Sequence, residues 1–497
     1  MIRREFCKTL TLASSVLESP LSIAKRSVDV TNSNFPKAPG LTKYVAEFIV
    51  NTKYDDIPEE VIELGKKTML DAFGLALAGS ASMPGANIRK YIERLGCSDG
   101  KASIIGTGVK TTHRFAALAN GISIHADDYD DTGSGMHVAA PVLPAAFAIC
   151  ETERRTGKEL TLAFHVGVEI ENKIAQAISS RHHEEGFHTT GTCGSFGGAA
   201  AAAKLQGFDA RQTAVALGIA GSEASGLRDN FGTMTKSFHA GHAAENGVVA
   251  ADLVLVGWTA AEDILEAPLG FYQAAGGTFN PSLIEKALGN PWMFVSPGDL
   301  IKRFPCGTIQ QAFMDETLRL IRVNHITAAD VEKADIAGNR SNVATLFYHH
   351  PTTGLEAKFS MEFAVSILLL DSKAGLGQFT DAVVKREDVQ GMLRRTNFHV
   401  DPEFNKTEGK GENLQTVLVE NGGITFHMKD GRTISGRTKP AKGSPQNPMT
   451  YEEVAEKFRA NAEFAKWPTQ KAEFIIEQVK SMEKVADISK LTWAFTS

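Results

Sequence analysis

Cysteine is scarce: five residues in 497, at Cys7, Cys97, Cys150, Cys193 and Cys306, with no CxxC and no regular spacing. That argues against a disulfide scaffold, a zinc ribbon and an iron–sulfur cluster. A basic excess is missing too. Lys and Arg total 52 against 58 Asp and Glu, a formal net charge of −6 with the 14 His neutral, which speaks against nucleic acid as a partner. Long apolar runs are absent: a strong one, 363–370, is far below the ~20 residues of a membrane helix, so no span is expected. There is no internal repeat, no nucleotide-binding glycine loop and no HExxH pair. What remains is the composition of an ordinary folded protein, 43% hydrophobic and 22% charged, long enough for two to four domains at about 150 residues each.

The N-terminus reads Met1-Ile2-Arg3-Arg4-Glu5-Phe6-Cys7-Lys8 before a mildly apolar stretch at 9–17. Paired arginines followed by Phe and Lys resemble a twin-arginine export signal, which implies a periplasmic protein. Glu18 and Pro20 interrupt the apolar stretch, and the alternative is an uncleaved leader on a cytoplasmic one.

From residue 41 to about 258 the pattern is helical. Ile62, Leu64, Met69, Leu70, Phe73 and Leu77 recur at helical intervals after the acidic start at Glu59-Glu60. Runs at 114–125, 140–153, 159–179 and 197–207 repeat the theme, Ala-rich enough for close helix packing. Near 290 the texture changes. The segments 331–337, 416–419 and 424–428 read as strands, Asp430-Gly431 as a hairpin turn before 432–437, and 359–371 as a helix crossing this region. Helical character returns over 451–485, with Thr450 and Glu453 at capping-box spacing. The expected fold is mainly α: a leader (1–40), a large helical domain (41–290), a smaller α+β domain (291–445) and C-terminal helices (446–490) packing back on the helical domain.

Five polar clusters stand out. Residues 120–137 place four acids, Asp127, Asp128, Asp130 and Asp131, in five positions between apolar helical stretches. A site-lining loop, a helix N-cap cluster and a divalent-metal loop all remain open there, although the order is not that of an EF-hand. His182-His183-Glu184-Glu185-Gly186-Phe187-His188 runs into a Thr/Gly-rich segment, where a helix start can receive an anion and His188 can move a proton, or simply be a hydrogen-bonded structural residue. Lys236 opens an Ala/Gly-rich helix that also carries His239 and His242, three residues apart as a metal pair would be. Lys302-Arg303-Phe304-Pro305-Cys306 brings cations to a rigid turn, with Cys306 a nucleophile only if its surroundings allow, and Tyr348-His349-His350 adds polar rings. Together these suit a small, multiply anionic substrate undergoing cofactor-free proton chemistry beside a carboxylate, with cations favouring an enediolate-like state.

Asp128-Tyr129-Asp130-Asp131-Thr132 with His137 and Ala140-Pro141-Val142-Leu143-Pro144, Phe187-His188-Thr189-Thr190-Gly191, Lys236-Ser237-Phe238-His239-Ala240-Gly241, Gly270-Phe271-Tyr272 and Lys302-Arg303-Phe304-Pro305-Cys306 resemble, in order and separation, the MmgE/PrpD family of 2-methylcitrate dehydratases and cis-aconitate decarboxylases. The resemblance spans about 41–485. It implies a homodimer with the α+β domain as a lid and the site between domains, no metal and no organic cofactor. It also implies that His137, His188, Lys236, Lys302 and Tyr348 are catalytic and that Asp128, Thr132, Lys236 and Lys302 bind substrate. Decarboxylases of the family tend to carry a Trp-His-Pro-like stretch after the Asp-Asp-Thr; here Gly133-Ser134-Gly135-Met136 stands instead.

The expected activity is a lyase acting on a small di- or tricarboxylic acid, first a 2-methylcitrate dehydratase-like hydro-lyase. A cis-aconitate-type decarboxylase and a dicarboxylate epimerase are alternatives, as is a non-catalytic anion-binding protein. His137 or His188 would take the proton next to a carboxylate, the other histidine or Tyr348 would assist the leaving hydroxyl, and Lys236 and Lys302 would clamp carboxylates.

Overall fold

The computed structural model describes residues 34–405 and 422–497; the Arg3-Arg4 leader and the strand expected at 416–419 lie outside the described residues. The first half is a stack of helices: α1 (Leu41–Asn51), α2 (Glu59–Ser80), α3 (Met83–Arg94), α4 (His113–His125), α5 (Ala139–Glu153), α6 (Gly157–Ala177), the single turn α7 (Arg181–Glu184), α8 (Thr189–Gln206), α9 (Ala210–Glu223) and α10 (Met234–Leu255). A two-stranded ribbon, β1 (Ala102–Ser103) and β2 (Lys110–Thr111), precedes α4.

Most of these begin where the sequence signals a start. Thr156 and Glu159 form a capping box on α6, and Thr450 with Glu453 does the same for the helix Tyr451–Phe464. One helix differs from expectation: α8 begins at Thr189, not Gly197. Its Thr/Gly-rich first turns have poor intrinsic propensity, yet every residue from Thr189 to Ala203 is buried, and tertiary packing overrides propensity. Thr192 and Ser195 return their hydroxyls to backbone carbonyls of the same helix, which satisfies them inside the core.

The glycines decide how closely these helices cross. A Cβ on Gly241 of α10 would lie 2.4 Å from the Leu118 carbonyl oxygen and 2.6 Å from Ile122 Cγ1 of α4. One on Gly247 would lie 2.3 Å from the Gly198 carbonyl carbon of α8. Backbone therefore meets backbone, and the start of α10, with Lys236, is drawn onto the end of α4, with His125.

Two large hydrophobic cores result, and α3 packs Ile88 and Ile92 in a minor cluster with Leu118 and Ile122 of α4. The larger gathers α1, α2, α4–α6 and α8–α10 and takes in Val454, Phe458, Ile475, Ile476 and Phe495 from the C-terminal helices, Tyr451–Phe464 packing on α2. The smaller lies within 304–434 and is built around Phe313, Phe363, Phe398 and Phe426. It packs the helices Gln310–Asn324 and Met361–Asp371 on a four-stranded sheet of order β4-β3-β5-β6. Here β3 (Val331–Gly338) runs parallel to β4 (Thr396–Val400) and antiparallel to β5 (Gly422–Met428), which turns at Gly431 (φ 85°) into β6 (Thr433–Arg437). Strand β4 was not legible beforehand: it is a short edge strand with only Thr396 and Phe398 buried, too little alternation to detect. The fold is mainly α with a smaller α+β part. Among the described residues no helix is long and apolar enough to cross a membrane.

Candidate active site

The acidic loop between α4 and α5 divides its carboxylates among three tasks. Asp131 accepts from the Val138 and Ala139 N–H groups at 3.1 and 3.2 Å and so caps α5, the N-cap reading of the cluster. Asp127 receives Lys358 Nζ on its carbonyl (2.8 Å) and carboxylate (3.3 Å). Asp128 and Asp130 turn inward, Asp128 with a left-handed backbone (φ 51°). Beneath the loop, buried Lys457 donates to the Tyr129 carbonyl (2.9 Å), pairs with Asp71 (2.8 Å) and lies 3.9 Å over the Tyr129 ring. The peptide between the two inward acids is thereby pinned from the C-terminal helix.

Cations and imidazoles converge on those two acids. Lys236 Nζ lies 2.6 Å from Asp128 Oδ1, and Lys302 Nζ lies 3.2 Å from the same oxygen while donating to the Asp128 carbonyl at 2.9 Å. His137 spans the pair, with Nε2 3.5 Å from Asp128 and Nδ1 3.1 Å from Asp130, the latter off the line of a good hydrogen bond. His125 Nδ1 lies 2.9 Å from Asp130, and its Nε2 lies 3.1 Å from Lys236 Nζ. Because Asp130 can only accept, neutral His125 carries its proton on Nδ1 and offers the Nε2 lone pair to Lys236. His188, at the N-cap of α8, stacks 5.8 Å from His125, and its Nδ1 lies 3.0 Å from Nδ1 of His239. The wall opposite the acids is apolar: Lys236 Nζ is 5.2 Å from the Phe231 ring and 5.5 Å from that of Phe359.

Electrostatics set the charge states. Burial alone would raise the Asp128 and Asp130 pKa values. Lys236 and Lys302 outweigh it at Asp128, and His125 and His137 outweigh it at Asp130, so both stay well below the usual carboxylate range. Burial lowers Lys236, holds His125 down at about 4, and keeps His137 and His188 below the ordinary imidazole value. The resting cluster thus holds two carboxylates, two ammonium groups and three neutral imidazoles.

His125, Asp128, Asp130 and His137 present ligand-type atoms within 4.8 Å of one another, a spacing a metal ion would accept. Lys236 and Lys302 already lie on this set, so a divalent cation there would stand against two positive charges, and the donors do not fit one.

The MmgE/PrpD N-terminal domain matches residues 43–284, and the MmgE/PrpD C-terminal domain matches 304–483. The chain belongs to the MmgE/PrpD family. It is similar to cis-aconitate decarboxylases of Homo sapiens, 27% identical over 464 residues (91% of this chain, 94% of the relative), and of Aspergillus terreus, 27% identical over 482 residues (91% and 95%). That of Mus musculus is 25% identical over 466 residues (91% and 92%). Family and relatives bear out a lyase; the relatives named are decarboxylases, the form weighed as an alternative to a hydro-lyase.

Of the expected site residues in this MmgE/PrpD protein, Asp128, His137, Lys236 and Lys302 share one cluster, with His188 beside it. Tyr348 stands apart: half-buried, its ring packs on Phe347 at 4.5 Å, and its hydroxyl faces Gly232, next to Phe231. Thr132 acts as a strut, exchanging backbone hydrogen bonds with Leu300 and meeting Thr308 Oγ1 at 2.9 Å. The structural-histidine reading falls to His182, held between the Ala275 carbonyl and Thr192. His239 and His242 diverge, the first to His188 and the second to Glu245, so they form no metal pair. Cys306 is buried against Met314, and burial pushes its thiol up to about 12, which removes it as a nucleophile. Sequence reasoning did not bring His125 or Asp130 individually to this cluster, and it weighed His239 only as half of a metal pair. The usable signals were a His–x4–Asp pair closing a helix and a His one turn after Lys236.

Proposed function

We propose that the protein is a cofactor-independent carboxy-lyase for a cis-aconitate-type tricarboxylate. The observation that carries the reading is the pair of buried ammonium groups on one Asp128 oxygen, ringed by neutral imidazoles. Asp128 acts as a placeholder: two substrate carboxylates take over Lys236 and Lys302, and the site's charge rises only by what the substrate brings. The departing carboxylate lies against Phe231 and Phe359, where it loses hydration without gaining a cation. As the C–C bond breaks, its electron pair passes into the adjacent C=C–carboxylate system, whose growing charge the lysines stabilise. His137 or His188 returns a proton to carbon. Thr132 and Asp128 fix the loop on which the substrate rests, and Tyr348 closes the outer rim beside Gly232. We also read the chain as a homodimer, since Leu255, Val256, Trp258 and Leu269 leave large apolar side chains exposed; light scattering checks this.

Proton NMR of cis-aconitate, 2-methylcitrate and related acids incubated with the enzyme in D₂O tests the activity. Loss of CO₂ with one deuterium incorporated is the expected result. Loss of water would favour the 2-methylcitrate dehydratase-like hydro-lyase, and exchange with inversion an epimerase. Binding without exchange would leave an anion-binding protein.

A further inference from the structure

We propose that His239 is the outer member of a two-imidazole proton relay that supplies the site from solvent through His188. The proposal rests on the carboxy-lyase reading, because CO₂ loss consumes one proton per turnover. The balance is R–COO⁻ + H⁺ → R–H + CO₂: the C–C bond breaks, its electron pair stays on carbon, and a proton must then arrive. The cluster around Asp128 is buried and its imidazoles are neutral, so it holds no surplus proton of its own.

The geometry supplies a path. His188 and His239 meet Nδ1 to Nδ1 at 3.0 Å with ring centroids 5.3 Å apart. Two imidazoles can share that contact only as complementary tautomers, one donating and one accepting. With both Nδ1 atoms engaged, the two Nε2 atoms stand at opposite ends of the pair. The inner one belongs to His188, beside His125 and Phe231. The outer one belongs to His239, itself buried (6% exposed) near the start of α10. Its neighbours along α10 reach solvent: Phe238 is 41% exposed and stacks on His242, whose side chain is 31% exposed.

The pair is held in register by backbone with no side chain between. A Cβ at Gly226 would lie 3.0 Å from His239 Cγ, and one at Gly191 would lie 3.1 Å from His239 Cβ. Lys236, His125 and His137 face His188, while His125, Lys236 and His242 face His239. With burial, these cationic and titratable neighbours disfavour a second positive charge, so a proton passes through the pair and is not stored there.

In the forward direction, solvent protonates His239 at Nε2. The Nδ1 proton of His239 crosses to Nδ1 of His188, and His188 releases its Nε2 proton into the site. The pair is left as the opposite tautomers, and proton exchange of each ring with water restores the starting ones before the next turnover.

Two variants of the full chain test the relay, with CO₂ release from cis-aconitate as the readout. His239→Ala should lower kcat by about 10-fold or more with KM within about twofold, and added imidazole should restore the rate in a saturable manner. His239→Asn keeps an amide where Nδ1 stood, so it can hold His188 but cannot pass a proton, and its kcat should fall as far. A wild-type kcat in His239→Asn would overturn the relay. So would a His239→Ala defect that imidazole leaves untouched. A wild-type enzyme that exchanges or dehydrates acids without releasing CO₂ would overturn the carboxy-lyase reading, and with it the demand for a proton that the relay meets.

Discussion

Lys236 and Lys302 meet on a single carboxylate oxygen of Asp128, at 2.6 and 3.2 Å. Two ammonium groups that close together repel, and inside a protein one carboxylate between them is what keeps both in place. Asp128→Asn should therefore lower kcat by ~10²-fold and lower the melting temperature of the ligand-free enzyme. Added tricarboxylate should restore the melting temperature, because it replaces the missing charge. Thermal melts with and without ligand check this, and equal melts in both conditions would remove Asp128 as a placeholder.

Lys302 has no exposed surface. Lys302→Met, which keeps its length and apolar stem, should cost ~10²-fold in turnover if the ammonium stabilises charge at the reacting centre. A near-normal kcat would take it out of the mechanism.

His137 is lowered by burial, while Asp130 beside it pulls the other way and raises it. If His137 returns the proton to carbon, its protonated form works, and the limb on which kcat/KM falls with rising pH lies below pH 6.5. Removing the Asp130 charge removes the raising influence, so Asp130→Asn should move that limb to still lower pH. A pH–rate profile of both enzymes decides it, and an unmoved limb would assign it to another group.

Asp299 is half-buried, with Oδ2 accepting from Thr68 at 2.7 Å and Oδ1 buried and unpartnered, and desolvation pushes it up to about 7. Its folded-state value is above its unfolded one, so the folded state binds a proton between about pH 4 and 7 that the unfolded chain does not. The stability it contributes is complete below pH 4 and lost as pH rises through 7. Asp299→Asn should melt like the wild type at pH 4 and about 2–4 °C higher at pH 8. Melts at the two pH values measure this.

Gly241 lets α10 lie on α4, and its hydrogen faces the Leu118 carbonyl. Gly241→Ala should cost about 1–3 kcal/mol of stability and also reduce kcat, because the helices must part where His125 meets Lys236. Denaturant unfolding with kinetics on the same sample checks both, and a loss of stability alone would mean that the cluster tolerates the shift.

The helices, the β3, β5 and β6 strands and the family were legible in the sequence because periodicity, capping pairs and short motifs are local properties. The start of α8 was not, since Thr189–Gly194 prefers turns in isolation and becomes helical only when buried on all sides. The residue types of the site were legible as well: Asp128, His137, Lys236 and Lys302 each sit in a recognisable motif.

Their division of labour was not legible. Four acids in five positions look alike along the chain, yet Asp131 caps a helix, Asp127 binds Lys358, and Asp128 and Asp130 face the imidazoles. That the Tyr348 hydroxyl faces Gly232 was equally invisible along the chain. By itself the sequence determined which chemical groups this protein owns and which local elements carry them. Only the tertiary structure decided which groups meet, because a contact such as Lys236 with His125 depends on glycine-thin helix crossings more than a hundred residues apart, and charge states follow from burial that no local pattern records.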